Sequence, residues 1–391
     1  METKRYVALD ILRGMTVAGM ILVNNPGTWG KIYAPLRHAA WHGCTPTDLV
    51  FPFFLFIVGA AMAFSFFRFS EGLTAGAAKK LVTRSLLIFT TGLLLNAFPF
   101  YPTSPNPDLS WGANYLNYLN NLRIFGVLQR IALAYLLGGL LALWLHKPKK
   151  IAWGVVAVLL IHWAILYLFG GDDPYSKEAN AAGPIDVWLL GKSHVYRGFG
   201  LPFDPEGLLG TISGAGTVLL GYLVGGIIQK SRQKIEAVGL LYTLSLFALG
   251  VGIVWSAWLP INKPLWTGSY VLYTAGWSTM LLACFIYLVD VVGHVGKINF
   301  EKLFYPFKAL GMNPLFAFVM AGIFAKVLGR IVRWEIVAGS KTSALSWFYQ
   351  HACVPVWGDN ELGSLSFALC YVAVFTLMAV ILYRKKIFIK L

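Results

Sequence analysis

Charge is what this sequence has least of. Asp, Glu, Lys and Arg together make up 13% of 391 residues, roughly half the share of an ordinary soluble domain. Cysteine is also sparse. Cys44, Cys284, Cys353 and Cys370 show no zinc or redox spacing, which excludes a disulfide-dense scaffold. Cys284 and Cys370 sit in apolar runs as small core residues, and a Cys44–Cys353 disulfide is left open. No linker divides the chain, and neither end carries a polar stretch of domain size. No cleavable signal peptide is expected, because the first apolar run continues into polar turn residues without a small-residue cleavage site.

What stands in place of charge is apolar length. Hydrophobic residues account for 57% of the chain, and runs of about 18 residues or more, enough to cross roughly 30 Å of hydrocarbon, recur throughout. About ten spans fall at roughly 7–24, 47–68, 79–98, 123–145, 151–170, 207–229, 237–258, 266–290, 308–328 and 365–384. The expected fold class is an all-α polytopic membrane helix bundle, with residues 1–391 as one transmembrane unit. A net charge of +15 would suggest nucleic acid in a soluble protein. Here the cations crowd into alternate segments: Lys4 and Arg5, Arg68 with Lys79 and Lys80, Lys147 to Lys150, Lys230 with Arg232 and Lys234, and Arg384 to Lys386. That is the positive-inside pattern. It excludes a nucleic-acid partner and puts both termini in the cytoplasm. The longer loops at 25–46, 99–122, 171–206 and 329–364 then lie outside.

Ionisable groups at membrane depth are costly and mark functional positions. Asp10 and Arg13 are three apart on one helix face. They either pair with each other or leave Arg13 to meet an anion arriving from the cytoplasm. Gln129 and Arg130 lie inside the fourth apolar run. Asp204 and Glu206 open the sixth span, where N-capping and the helix dipole account for such carboxylates. Asn262-Lys263-Pro264 and Asn313-Pro314 read as devices of helix geometry. Gly210, Gly214, Gly216, Gly221, Gly225 and Gly226 have the small-residue spacing of close helix packing.

The densest chemistry follows the first span: Asn24, then His38-Ala39-Ala40-Trp41-His42-Gly43, then Asp48. Histidine moves protons near neutral pH. A carboxylate can orient its ring, and an amide can donate to a developing oxyanion. Pro and Gly among these residues argue against one regular helix offering His38, His42 and Asp48 to zinc, and no metal is expected.

Seven motifs, read in order, resemble one family. They are Leu9-Asp10 with Arg13-Gly14; Val23-Asn24; His38-Ala39 with Trp41 and Gly43; Asp48-Leu49-Val50 with Pro52; Gly126 to Arg130; Phe203 to Gly207; and Trp258 to Lys263 with Leu265-Trp266. Together they are similar to heparan-α-glucosaminide N-acetyltransferases and their bacterial relatives, from about residue 5 to Asn313. The resemblance implies transfer of acetyl from cytoplasmic acetyl-CoA, as co-substrate, to the amino group of a glucosamine-containing sugar on the far side of a bacterial inner membrane. It places the active-site histidine on His38 and its associated asparagine on Asn24; Asp48, read from the residues themselves, is expected to orient the ring. Arg13, Arg130 and Gln129 are then the expected CoA contacts, and Trp41, His42, Asp204 and Glu206 the expected sugar contacts. One departure stands out: the family's His-Ala-Pro-Trp-Asn-Gly stretch has Asn where this chain has His42. No counterpart of the lysosomal enzyme's lumenal N-terminal region is expected. The partners implied are an amino sugar and membrane lipid, with a homodimer left open. Two rival readings are a transporter of a small solute or sugar-linked intermediate, and a sister acyltransferase with another acyl donor or a hydroxyl acceptor.

Overall fold

A computed structural model describes residues 6–66, 72–231, 233–294, 299–337 and 340–389. Lys4, Arg5, Arg68 and Arg232, which entered the charge pattern, lie outside the described residues. In chain order the helices are α1 (Val7–Asn24), α2 (Pro46–Ser65), α3 (Ala75–Ala97), α4 (Trp111–Asn120), α5 (Val127–Leu145), α6 (Pro148–Phe169), α7 (Ala182–Leu190) and α8 (Leu209–Lys230). Then come α9 (Lys234–Trp255), α10 (Gly268–Phe285), α11 (Phe300–Leu303), α12 (Tyr305–Met312), α13 (Pro314–Lys326), α14 (Ala344–Phe348), α15 (Val354–Trp357) and α16 (Glu361–Arg384). The strands β1 (Arg333–Val337) and β2 (Ser340–Ser343) form an antiparallel hairpin between α13 and α14. The protein is an all-α polytopic membrane bundle.

Nine of the described helices are long and apolar enough to cross a membrane. The tenth expected span is α3, which has 23 residues but carries Lys79, Lys80 and Arg84 in its first half. Two of these cations lie over aromatic faces, Lys80 over Phe66 and Arg84 over Tyr135. The ninth expected span is broken where the sequence reads Asn313-Pro314. Pro314 lacks an N–H and so opens α13 at its first position. Asn313 ties down the C-terminal tail, donating to the Ile387 carbonyl at 3.0 Å and accepting from the Ile389 N–H at 2.7 Å.

The core forms where helices carry small residues. In α2 72% of the span is buried and in α8 67%, against 28% for α9 and α16, which face outward. A Cβ at Gly59 would lie 2.0 Å from the Val218 carbonyl oxygen, and one at Gly221 2.0 Å from that of Phe56. The close packing expected of the glycine stripe is present at this crossing, whereas Gly226 faces open space. Gly14 and Gly311 bring α1 and α12 together in the same way. In lipid, where apolar burial drives little association, such backbone proximity supplies the dispersion attraction that holds helices.

Chain order and contacts give the bundle two unlike ends. The starts of α2, α5, α8, α10 and α16 meet the end of α1 at a loop-rich end: Tyr270 of α10 donates to the Asp48 carbonyl, and Ser364 of α16 bonds Thr28. The opposite, basic end carries Arg13, the short cationic loops and the tail after α16.

Candidate active site

Pro46 and Thr45 decide where α2 begins. Pro46 fills the first helical position, and Asp48, three residues after the N-cap Thr45, turns its carboxylate back onto the Thr45 N–H at 3.1 Å. The same Oδ2 accepts from the Ala39 N–H at 2.9 Å and the Thr45 hydroxyl at 3.0 Å. Oδ1 faces His38 Nδ1 at 2.6 Å and the Lys263 ammonium at 3.2 Å. Every partner donates, so Asp48 is a carboxylate, although its side chain is only 1% exposed. A proton must lie between Oδ1 and Nδ1, and His38 supplies it. The Nε2 lone pair of a ring that is 48% exposed is left open. Lys263 Nζ, 3.1 Å from Nδ1, adds a positive charge at the same carboxylate oxygen.

The second histidine is held differently. Asn262 Nδ2 donates to His42 Nδ1 at 3.2 Å and to the Trp41 carbonyl at 3.0 Å. Partial burial lowers the pKa of His42, with Asp173 acting the other way. Trp41 between the histidines donates from its indole to the Tyr175 carbonyl at 2.8 Å and stands edge-on to Phe203 and Phe199. Burial, with Asp48 adding to it, pushes the Cys44 thiol up to about 12, so it offers no thiolate nucleophile beside His38. All four cysteines are free thiols. Among the described residues no group of three His, Cys, Asp or Glu side chains gathers as a metal site.

A second ionic cluster occupies the same end. Arg123 grips Asp204 with two bonds, 2.9 and 2.6 Å, and also donates to Glu206. Burial opposes it, but Glu206 and Asp204 hold the Arg123 guanidinium above its ordinary range. Arg130, 1% exposed, donates to the carbonyls of Pro205 and Gly207 at 3.0 and 2.9 Å and lies over the Trp266 ring. Gln129 donates to the Ile124 carbonyl at 2.9 Å. Asp204 and Glu206 therefore do not cap α8. That helix starts later, and Asp186 accepts the Leu208 N–H at 2.8 Å instead. Burial raises the Asp186 carboxyl to about 7.

Residues 5–174 match the family model described as heparan-α-glucosaminide N-acetyltransferase, catalytic. This chain is similar to heparan-α-glucosaminide N-acetyltransferase. The enzyme of that name from Homo sapiens is 28% identical over 445 aligned residues, covering 99% of this chain and 60% of its own length. The Mus musculus enzyme is 29% identical over 379 residues, covering 81% of this chain and 54% of its own. The chain thus spans somewhat over half the length of these relatives. The resemblance carried by the seven motifs is borne out.

The stretch matching the acetyltransferase catalytic model holds Arg13, Asn24, His38, Trp41, His42, Asp48, Gln129 and Arg130. The structure brings His38, Asp48, Trp41 and His42 together through the 262–263 loop. Asn24 ends α1 at the same end, exposed, with no side-chain hydrogen bond among the described residues. Arg13 lies at the basic end, bonded to Asp10 at 3.1 Å and to the Gly311 carbonyl at 3.3 Å. Arg130 and Gln129 sit in the first turn of α5, at the loop-rich end, with their bonds turned onto protein carbonyls. The carboxylates of Asp204 and Glu206, expected as sugar contacts, face Arg123. Lys263 and Asn262, read above as helix-geometry residues, hold the two histidines. The signal for them was two polar side chains in the Trp258–Trp266 motif.

Proposed function

We propose that the chain is a transmembrane acetyltransferase. It takes acetyl from acetyl-CoA at the basic, cytoplasmic end and passes it to the amino group of a glucosamine-containing sugar at the loop-rich end. The observation that carries this reading is the His38–Asp48 pair, whose Nε2 lone pair is open and available as a general base. The named relatives support the amino-sugar acceptor and the acetyl donor, and the whole chain acts as one transmembrane unit. His38 Nε2 takes a proton from the amine as its nitrogen attacks the thioester carbonyl. Asn24 donates its amide hydrogen to the oxyanion. Collapse of the tetrahedral species expels CoA thiolate and leaves the amide. Asp48 keeps the ring in the Nδ1–H form throughout, and the His38 ring N–H, the Lys263 ammonium and the Ala39 and Thr45 N–H groups face the carboxylate as donors.

The two ends are some 27 Å apart, the rise of the 18 residues of α1, so the nucleotide and the thioester of one CoA molecule face different surroundings. Tyr305, Tyr383, Arg384, Lys386 and Phe388 line a cleft at the basic end. Such a combination suits adenine through its rings and phosphate through its cations. We assign the nucleotide to this cleft, with Arg13 on the same side, in place of Arg130 and Gln129. The test is transfer of labelled acetyl from acetyl-CoA to glucosamine acceptors by reconstituted protein, with propionyl- and succinyl-CoA as competing donors. Preferred transfer of acetyl to an amine supports the reading. Preference for another donor, or for a hydroxyl acceptor, replaces it with the sister activity. A protein that neither transfers label nor is stabilised by CoA is not an acyltransferase.

A further inference from the structure

We propose that His42 is an uncharged hydrogen-bond donor to an oxygen of the acceptor sugar, acting through Nε2–H, and is not a second general base. The sugar's identity rests on the acetyltransferase reading above; the position of the proton rests on geometry alone. Asn262 decides it. Its Oδ1 accepts from the Leu265 N–H at 2.7 Å, and its Nδ2 donates to the Trp41 carbonyl at 3.0 Å. A backbone N–H only donates and a carbonyl only accepts, so turning the amide over would lose both bonds. With Nδ2 identified in this way, its remaining hydrogen points at His42 Nδ1, 3.2 Å away. That nitrogen must present its lone pair. A neutral imidazole with an acceptor at Nδ1 carries its proton on Nε2.

His38 is the reverse case, with its proton on Nδ1 and its lone pair on Nε2. Two neighbouring residues of one loop act on the two rings, Asn262 by donating to His42 Nδ1 and Lys263 by donating to Asp48 Oδ1, the acceptor of the His38 proton. The same loop therefore sets one base and one donor. Protonating His42 Nδ1 would put two donors face to face across the Asn262 contact, so the bond that fixes the tautomer also opposes the cation. Partial burial acts in the same direction, and Asp173 opposes it. Among the described residues no carboxylate bonds this ring, in contrast to His38. Around it lie Trp41, 6.3 Å between ring centres, and the Phe199 and Phe203 rings packed on Trp41. Aromatic faces beside a neutral N–H suit a sugar, whose C–H face stacks while its hydroxyl oxygens accept.

The direct test is nitrogen NMR on the full-length protein in nanodiscs with ¹⁵N-labelled histidine, using His42→Asn to assign the signal. The expected ring has an unprotonated Nδ1 and a protonated Nε2, and stays neutral as pH falls through 6.5, the ordinary imidazole value. A protonated Nδ1, or a ring already cationic above that pH, overturns the proposal. In the transfer assay His42→Asn keeps a donor and should hold the acceptor KM within about threefold. His42→Phe should raise it about tenfold, the worth of roughly one hydrogen bond, with the acetyl-CoA KM and the acid limb of the pH profile unchanged. Loss of that limb, or a kcat collapse in His42→Asn matching that of His38→Ala, overturns it too. If wild-type protein transfers no acetyl, the acetyltransferase reading falls, and the NMR result still decides the tautomer.

Discussion

Two ionic clusters share the loop-rich end, and they differ in what each has left to give. Around Arg123, Arg130, Asp204 and Glu206, charges meet charges or backbone carbonyls, the Asp204 side chain is fully buried, and Arg130 Nη1, unpartnered among the described residues, is sealed from solvent. Around His38, Asp48 and Lys263 the carboxylate is just as buried, but its histidine stands half in the open with one nitrogen uncommitted. The sealed cluster pins the 203–207 segment onto the start of α5, which is architecture. The open one can act on a molecule that arrives. A membrane-embedded charge is thus only a candidate for function; hydrogen-bonding capacity that an arriving molecule can reach, present at His38 and absent at Arg130, separates the two roles.

Substitutions in the open cluster should break that contrast most visibly. His38→Ala should lower acetyl transfer by about 10²- to 10⁴-fold, the usual range for removing a general base, while thermal stabilisation by CoA persists. Loss of CoA binding from a folded protein would count against the assigned role. Asn24→Ala should cost about 10²- to 10³-fold in kcat if its amide meets the oxyanion, with both KM values little changed. A pure KM effect would move Asn24 into substrate binding. Next comes Lys263→Met, expected at about tenfold, comparable to one charge-assisted hydrogen bond, and partly restored by Lys263→Arg.

Substitutions in the sealed cluster should act on stability instead. Arg123→Met leaves Asp204 buried and unpaired, a loss of about 3–5 kcal/mol that appears as a lower midpoint of thermal unfolding, while the folded fraction transfers acetyl at the wild-type rate. The last effect is one of pH. The Asp186 carboxyl is raised to about 7 from its ordinary 3.8, so the folded state binds its proton more tightly than the unfolded chain does. Its contribution to stability is full below about pH 3.8 and is lost as pH rises through about 7. Asp186→Asn should flatten stability across that window, and an unchanged slope would assign the pH dependence to another group.

Much of this was legible in the sequence. The expected spans are helical because apolar length fixes them, the ninth being broken at Asn313-Pro314, and only α3 falls short in hydropathy, through cations that the sequence displays. His38 and Asp48 were legible as a pair because Asp48 serves two local ends, the turn into α2 and the ring ten residues back. Lys263 and Asn262 were not, since their partners lie more than 200 positions away and only tertiary packing brings them near. The partners of Arg130 were not legible either, since an arginine in an apolar run does not announce whether it meets carbonyls or phosphates; in the fold it bonds the carbonyls of Pro205 and Gly207. Asp204 and Glu206 looked like caps because they precede a helix, yet α8 begins only at Leu209, and Asp186 accepts the N–H of Leu208 just before it.

The contrast between the clusters reduces to one comparison. Labelled acetyl-CoA is supplied to reconstituted wild type, His38→Ala and Arg123→Met, each corrected for its folded fraction, and acetylated glucosamine is counted. The account predicts transfer by wild type and Arg123→Met at matching rates and none above background by His38→Ala. Transfer by His38→Ala at the wild-type rate would contradict it.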